Sequence, residues 1–484
     1  MKLIDFSNHQ NRHIRKEDVG EAYVSKLKEM VAQDTMYYPS YHIAPPHGLL
    51  NDPNGLYQDE QGEYHIFYQW FPLGTVHGLK HWHHLTTKDF IDYKSFGNAI
   101  TPDTDFDGYG CYSGMALREA TRTHIYYTGI RREGGQLLPS IVYATFENGE
   151  VRKAGIIEDV DFKRTTENYR DPFVFKRGDD YYMIVGGESP ENRGILLVNK
   201  GSSPTEFKPM GNLKIMDYPY GYMLECPNYF ENDQYGVLIF SPQGIEKRGR
   251  YDFQNVFSVV YAVGKPIDFD TQTFEHESFY EMDKGFDFYA PQVFTDNQGR
   301  QVLLGWLGNS KCEYPSDKFQ WAHMLTLPRE VTIEGDRIKQ WPIAEVHALR
   351  QEEQVLTDVR NLTSKAFELS FEATDGFEII LQNEANERLI FSGNTEEFCL
   401  NRGATSHLYN EQYGQQRFAP RLTKENHMIR MFVDYSSVEI FADNGLTVFT
   451  SRFYLDGDWK LLSLGTSFNY YRLGSIYIEN KKRY

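Results

Sequence analysis

Three acidic side chains stand at matching places in the 484-residue chain. Asp52 and Asp171 each precede a proline, Pro53 and Pro172, and Glu225 stands two residues before Pro227. A single Asp-Pro pair ordinarily starts a turn. Two such pairs and a Glu, each opening the same kind of segment, carry more information if the segments converge. Three carboxylates in one place cannot all stay ionised without a large penalty, so at least one should hold its proton and lie as an acid beside a base or nucleophile. Such a group suits glycoside hydrolysis, in which one carboxylic acid protonates the leaving oxygen while another attacks the sugar or activates water. The same segment starts bring Asn51, Tyr112, Ser113, Arg170 and Tyr289 to the group.

Convergence depends on the elements. Four segments share one plan of proline, short strand, polar turn and second apolar strand: NDPNGLYQDEQGEYHIFYQ from Asn51, RDPFVFKRGDDYYMIVGG from Arg170, ECPNYFENDQYGVLIFSP from Glu225 and YAPQVFTDNQGRQVLLGWL from Tyr289. A weaker copy, YSGMALREATRTHIYYTG from Tyr112, has Gly114 where the others have proline. From Pro53 through Gly114, Pro172 and Pro227 to Pro291 the steps are 61, 58, 55 and 64 residues. Proline cannot donate to a strand ladder, so it belongs at a strand start or edge. Five regular repeats of strand pairs predict a five-bladed β-propeller over 41–335, whose first strands surround a central pocket. One mismatch stays open: Glu225 is one residue off the register of the two Asp residues. Either a bulge redirects its side chain or it reaches in from the rim.

Before the repeats, residues 1–40 form a helical extension, with Val19, Ala22, Val24, Leu27, Met30 and Val31 spaced as on one surface helix. After them, 336–354 reads as a linker helix and 355–484 as a β-sandwich, with Asn444-Gly445 as a hairpin signal. The fold class is therefore all-β, propeller then sandwich.

Composition narrows the function. With 50 Lys+Arg against 68 Asp+Glu, a net charge of −18 and no basic run beyond Lys481-Lys482-Arg483, nucleic acid is not an expected partner. No apolar stretch approaches the roughly 18 residues needed to span a bilayer, so no membrane role is expected and the cytoplasm is the expected location. The four cysteines have no CxxC spacing. His81 and His83 alternate on a predicted strand, but no third ligand is spaced to complete a metal site. Cys226 has no histidine placed to activate it, and reads as a small buried residue. Aromatics reach 15% of the chain, which fits strands and the walls of a sugar pocket. A non-catalytic sugar-binding propeller is the alternative to an enzyme.

Seven ordered motifs then carry a family resemblance: His47–Gly55 (HGLLNDPNG), Phe67–Trp70 (FYQW), Gly110–Gly114 (GCYSG), Arg170–Pro172 (RDP), Glu225–Pro227 (ECP), Gly285–Gln292 (GFDFYAPQ) and Leu325–Glu330 (LTLPRE). They resemble the signature of glycoside hydrolase family 32, the β-fructofuranosidase group, and Phe432–Phe441 (FVDYSSVEIF) resembles the marker of its C-terminal sandwich. The resemblance implies Asp52 as nucleophile, Glu225 as general acid/base and Asp171 as transition-state stabiliser. Asn51, Gln69, Tyr112, Ser113 and Arg170 match positions lining the fructose subsite. It implies a covalent fructosyl-enzyme, net retention, and carboxyl groups about 5 to 5.5 Å apart. Arg170 and nearby donors should hold the Asp side low while burial lifts Glu225. No metal or organic cofactor is implied. The expected partner is a small β-fructoside: sucrose 6-phosphate, sucrose or a short fructo-oligosaccharide. A homodimer joined through the sandwich is also an expectation. Leu50, Phe71, Met115 and Leu224 depart from the common pattern and are expected to alter the leaving-group side of the pocket.

Overall fold

The computed structural model describes residues 2–120, 122–356, 360–423 and 427–481; Lys482 and Arg483 of the basic run lie outside them. The molecule is a β-propeller followed by a β-sandwich. The propeller part contains five sheets in chain order, each built around antiparallel strands. Their first strands are Gly48–Gln58, Cys111–Glu119, Tyr169–Arg177, Met223–Glu231 and Tyr289–Thr295. These five strands touch in a closed cycle, each against the next and the fifth against the first. Cross-strand aliphatic and aromatic packing fills the space between sheets, with Phe173, Val174, Met183, Leu197 and Leu238 in one shared cluster.

Every first strand carries one extra residue at the same place. Over 50–53, 111–114, 170–173, 225–228 and 289–292, three steps on the first strand face two on its neighbour. This bulge turns two consecutive side chains towards one side of the sheet. It answers the question of Glu225: the carboxylate needs no rim approach, because the bulge follows directly at Cys226, whose φ is +48°. The prolines sit inside these strands, at the bulge, rather than at strand starts. A bulge leaves a backbone group outside the ladder, so the missing N–H is tolerated there. Gly114 differs for a local reason. A Cβ there would lie 1.9 Å from the Tyr126 carbonyl oxygen, and its N–H donates to Asn54 Oδ1 at 3.1 Å, which proline could not do.

The N-terminal helix is Glu21–Ala32, burying Tyr23 and Leu27, and two short 3-10 turns, His9–His13 and Lys16–Asp18, precede it. The predicted linker helix over 336–354 is not formed. Arg337–Pro342 is instead a strand closing the fifth sheet against Arg329–Glu334, as its alternating burial requires. Ala344–Leu349 is a 3-10 turn, and Arg350–Leu356 is a sandwich strand paired with Phe468–Leu473. The apolar residues Ile343, Val346 and Leu349 recur every three positions, the period of a 3-10 turn and not of an α-helix.

The sandwich consists of two six-stranded sheets with Phe367, Leu369, Ile379, Phe391, Ile440 and Phe449 between them. The strands Ser437–Ala442 and Thr447–Arg452 are joined through Asn444 and Gly445, both at positive φ, as the hairpin signal predicts. The chain end returns to the propeller: Tyr477–Asn480 adds a parallel strand to the outer edge of the first sheet.

Candidate functional site

A cavity of about 480 Å³ opens where the five first strands meet. Its walls carry Asn51, Asp52, Gln69, Tyr112, Arg170, Asp171 and Glu225, together with Tyr289. Ser113 lies just behind the wall, its hydroxyl donating to Asp52 Oδ2. The structure thus brings all eight expected site residues to one place. A larger hollow of about 580 Å³ between the first two sheets contains none of the three carboxylates.

Asp52 is held by donors on both oxygens. Asn51 Nδ2 reaches Oδ1 at 3.0 Å, while Ser113 Oγ and, at 3.4 Å, Gln69 Nε2 reach Oδ2. Glu225 is gripped more fully. Arg170 places Nε at 2.8 Å and Nη2 at 2.7 Å from Oε1, and the Tyr289 hydroxyl and Gln243 Nε2 donate to Oε2. Asp171 accepts from the Cys226 N–H at 3.0 Å, and its own N–H donates to Thr128 Oγ1 at 2.9 Å. Asp171 has φ +64°, a left-handed backbone rare for a non-glycine and held here by those two hydrogen bonds.

The electrostatics differ from expectation in one respect. Arg170 pairs with Glu225, and although its charge also pulls Asp171 down, burial and the Glu225 charge outweigh that pull. Burial pushes the Asp52 carboxyl up, opposed by hydrogen bonds from Ser113 and Asn51. Asp171 is also pushed up, by burial and then by the charge of Glu225. Asp52 and Asp171 are thus raised, against the expectation that the Asp side is held low, as burial beside other carboxylates requires. The Cys226 thiol sits 3.5 Å from Asp171 Oδ2 and is driven far above its ordinary range by burial and the surrounding carboxylates, so it stays a neutral thiol.

Sequence reasoning missed Lys80. It is only 5% exposed, lines the cavity, and places Nζ 2.6 Å from Asn51 Oδ1 and 2.9 Å from His77 Nδ1. An ammonium only donates, so it fixes the Asn51 amide with its oxygen towards Lys80. The Asn51 Nδ2 must then face Asp52 Oδ1 and Gln69 Oε1, and Gln69 in turn directs its own Nε2 to Ser113. One buried cation thereby orients the donors around Asp52. Burial lowers the Lys80 pKa, opposed by the charge of Asp52. Gln243 and Trp306 were also missed. The available signal was topological: Gln243 and Trp306 end or nearly end a second strand, as Gln69 does in the first sheet. Antiparallel return brings all three to the cavity end.

The other singled-out residues lie elsewhere. His81 Nδ1 bonds the Leu79 carbonyl and His83 Nε2 the Ser95 hydroxyl, and both are buried in the first sheet. Leu50, Phe71 and Leu224 are fully buried in the packing and Met115 faces a different hollow, so none of the four departures touches the cavity wall.

A closed β-propeller with a carboxylate cluster at its axis and a sandwich behind it defines a class of carbohydrate-active fold, and the chain belongs to glycosyl hydrolase family 32. The family's N-terminal domain matches residues 42–342 and its C-terminal domain residues 339–473. Among its relatives, the sucrose-6-phosphate hydrolase of Vibrio alginolyticus is 40% identical over 451 residues, covering 92% of each chain. The solved structure of sucrose-6-phosphate hydrolase from Lactobacillus gasseri superposes with a TM-score of 0.92 at 30% identity, over 97% of this chain and 99% of that one. A β-fructofuranosidase from Bombyx mori follows at 27% identity and a TM-score of 0.81, over 95% and 99%.

Proposed function

We propose that the protein is a retaining β-fructofuranosidase whose substrate is sucrose 6-phosphate, with sucrose as a poorer one. The observation that carries this reading is the meeting of Asp52, Asp171 and Glu225 in one cavity, each from the bulge of a different first strand. The five sheets are read as five blades and 41–342 as the catalytic unit, with 350–481 as the sandwich. The phosphorylated substrate is favoured because sucrose-6-phosphate hydrolases are similar to this chain over nearly its full length. Sucrose phosphorylated during uptake would also place the enzyme in the cytoplasm.

In the first step an Asp52 carboxylate oxygen attacks C2 of the fructosyl unit, and the C2–O bond to the hexose breaks as Glu225 delivers its proton to the leaving oxygen. In the second, Glu225 takes a proton from water, whose oxygen displaces Asp52 from C2. Glu225 thus gives the leaving group its proton and regains one from water, so no further acid or base is needed. Asp171 accepts hydrogen bonds from fructosyl hydroxyls, which strengthen as positive charge develops on the ring. Lys80, through Asn51, favours the ionised form that Asp52 needs.

Steady-state kinetics of Asp52→Asn and Glu225→Gln test the roles. Each should lose at least about 10³-fold in kcat while keeping a KM within a few-fold, as expected when a transition-state group is removed. Wild-type turnover in either variant would contradict the assignment, and a sugar-binding protein without catalysis would show no turnover in the parent chain.

A further inference from the structure

The cavity mouth is built in part by residues that precede both matched family domains. His9, Arg12 and His13, in and at the end of the first 3-10 turn, line the same cavity as the three carboxylates. This strap is anchored at several points. The Arg12 carbonyl accepts from the Leu79 N–H at 2.8 Å, and Arg15 Nη1 donates to the Pro102 carbonyl at 2.6 Å. Phe6 packs edge-on against Phe71 at 5.4 Å, in a space that Gly74 leaves open: a Cβ there would lie 2.4 Å from the Phe6 ring. The His13 ring lies 5.8 Å from that of Tyr109, another wall residue.

Among the described residues, the strap brings one formal cation, Arg12, and no carboxylate to this wall. In a chain of net charge −18, the only carboxylates on the cavity wall, among the described residues, are Asp52, Asp171 and Glu225. Arg170 and Lys80 are engaged with Glu225 and Asn51. Arg12 has no carboxylate partner among the described residues; its Nε donates to the Phe6 carbonyl at 3.1 Å. The buried ring of His77, next in the wall, is held neutral by burial and then by surrounding cations that include Lys80, Arg12 and Lys311. A fructosyl unit seated on Asp52 and Asp171, with Glu225 at the scissile oxygen, leaves the second sugar on the mouth side.

We propose that the N-terminal strap forms an anion subsite at the cavity mouth, in which Arg12, flanked by His9 and His13, takes the phosphate of a phosphorylated hexosyl leaving group. This rests on the substrate reading given above and deepens it. A guanidinium offers a planar fork of N–H donors matched to two phosphate oxygens, and its charge is not neutralised in advance by an acidic neighbour. Sucrose 6-phosphate carries its phosphate on the glucosyl part, the part that faces the strap. The segment before the family domain thus selects the leaving group, while the bulged first strands bind the fructosyl unit.

The test measures kcat/KM for sucrose 6-phosphate and for sucrose on the full chain, in wild type and in Arg12→Gln, with inhibition of sucrose hydrolysis by inorganic phosphate as a second readout. The ratio of the two kcat/KM values should fall at least tenfold in Arg12→Gln, and the phosphate inhibition constant should rise by a similar factor. Arg12→Lys should recover part of both. A His9→Gln/His13→Gln variant, expected to lower the ratio less, serves if the Arg12 variant unfolds, as judged by circular dichroism. An unchanged ratio, or an equal fall for both substrates, overturns the subsite. A wild type that cleaves sucrose but not sucrose 6-phosphate overturns the substrate reading itself, which separates the two failures.

Discussion

At the scale of residues, the site is a set of oriented donors around crowded carboxylates. Lys80 has the widest reach, because the orientation of Asn51, and through it those of Gln69 and Ser113, depends on one ammonium. Replacing Lys80 by Met should raise the acid limb of the kcat/KM profile by about one pH unit, since an opposite charge nearby favours the ionised carboxylate. Neutral-pH kcat should fall about tenfold or more with it. Lys80→Arg, which restores the charge but not the fit, should return the limb towards its place without full activity. A Lys80→Met profile superposable on that of wild type would show that Asp52 is set without it. The three carboxylates were legible because each precedes a proline in a repeating segment. Lys80 and Arg12 were not, because a lone basic residue in a loop or turn has no spacing partner to mark it.

The bulge in each first strand is the element that makes the site. It turns two successive residues to the cavity, so Asn51 with Asp52, and Arg170 with Asp171, both line the wall, and Glu225 needs no special route. In four of the five repeats a proline marks the bulge in the sequence, although by residue type alone it reads as a strand start. Gly114 is where the repeat deviates and where an added side-chain carbon has no room. Gly114→Ala should destabilise the protein by about 2 kcal/mol or more, because the added carbon meets the Tyr126 carbonyl and one sheet must shift. Gly114→Pro, the residue of the other four copies, should do worse by also removing the bond to Asn54. Urea unfolding followed by tryptophan fluorescence measures both, and an alanine variant as stable as wild type would contradict the close approach. The linker was misread for an equally local reason: its apolar positions recur every three residues, and a strand and a 3-10 turn share a stretch that resembles one weak helix.

The whole molecule depends on a dry junction between propeller and sandwich. His42 from the propeller inserts between two sandwich carboxylates, Asp434 at 2.8 Å and Glu439 at 2.9 Å, and Glu439 also pairs with Arg329 of the fifth sheet. Burial alone would lower the His42 pKa, but the two carboxylates outweigh it and raise the value from 6.5 to about 9. Below pH 6.5 folded and unfolded chains both hold this proton, and its stabilisation is complete. Between there and about 9 only the folded chain holds it, so stability falls with rising pH and the contribution is gone above that window. Thermal unfolding should therefore show a Tm that drops between pH 7 and 9.5. His42→Gln should have a lower Tm at pH 6 and a flatter profile, whereas a variant with the wild-type slope would place the effect elsewhere. The two-body plan was legible in the repeat spacing and the alternating C-terminal strands. This junction was not, since its partners are nearly 400 residues apart in the chain. The chain's net charge of −18 says nothing of the cavity wall, where Arg12, Lys80 and Arg170 stand with Asp52, Asp171 and Glu225. The central claim, a double displacement through Asp52, is tested most directly by letting wild type cleave sucrose in aqueous methanol and reading the configuration of the methyl fructofuranoside by NMR. A fructosyl-enzyme on Asp52 predicts the β-anomer, retained through two displacements at C2. The α-anomer would mean direct attack on the substrate and would contradict the account.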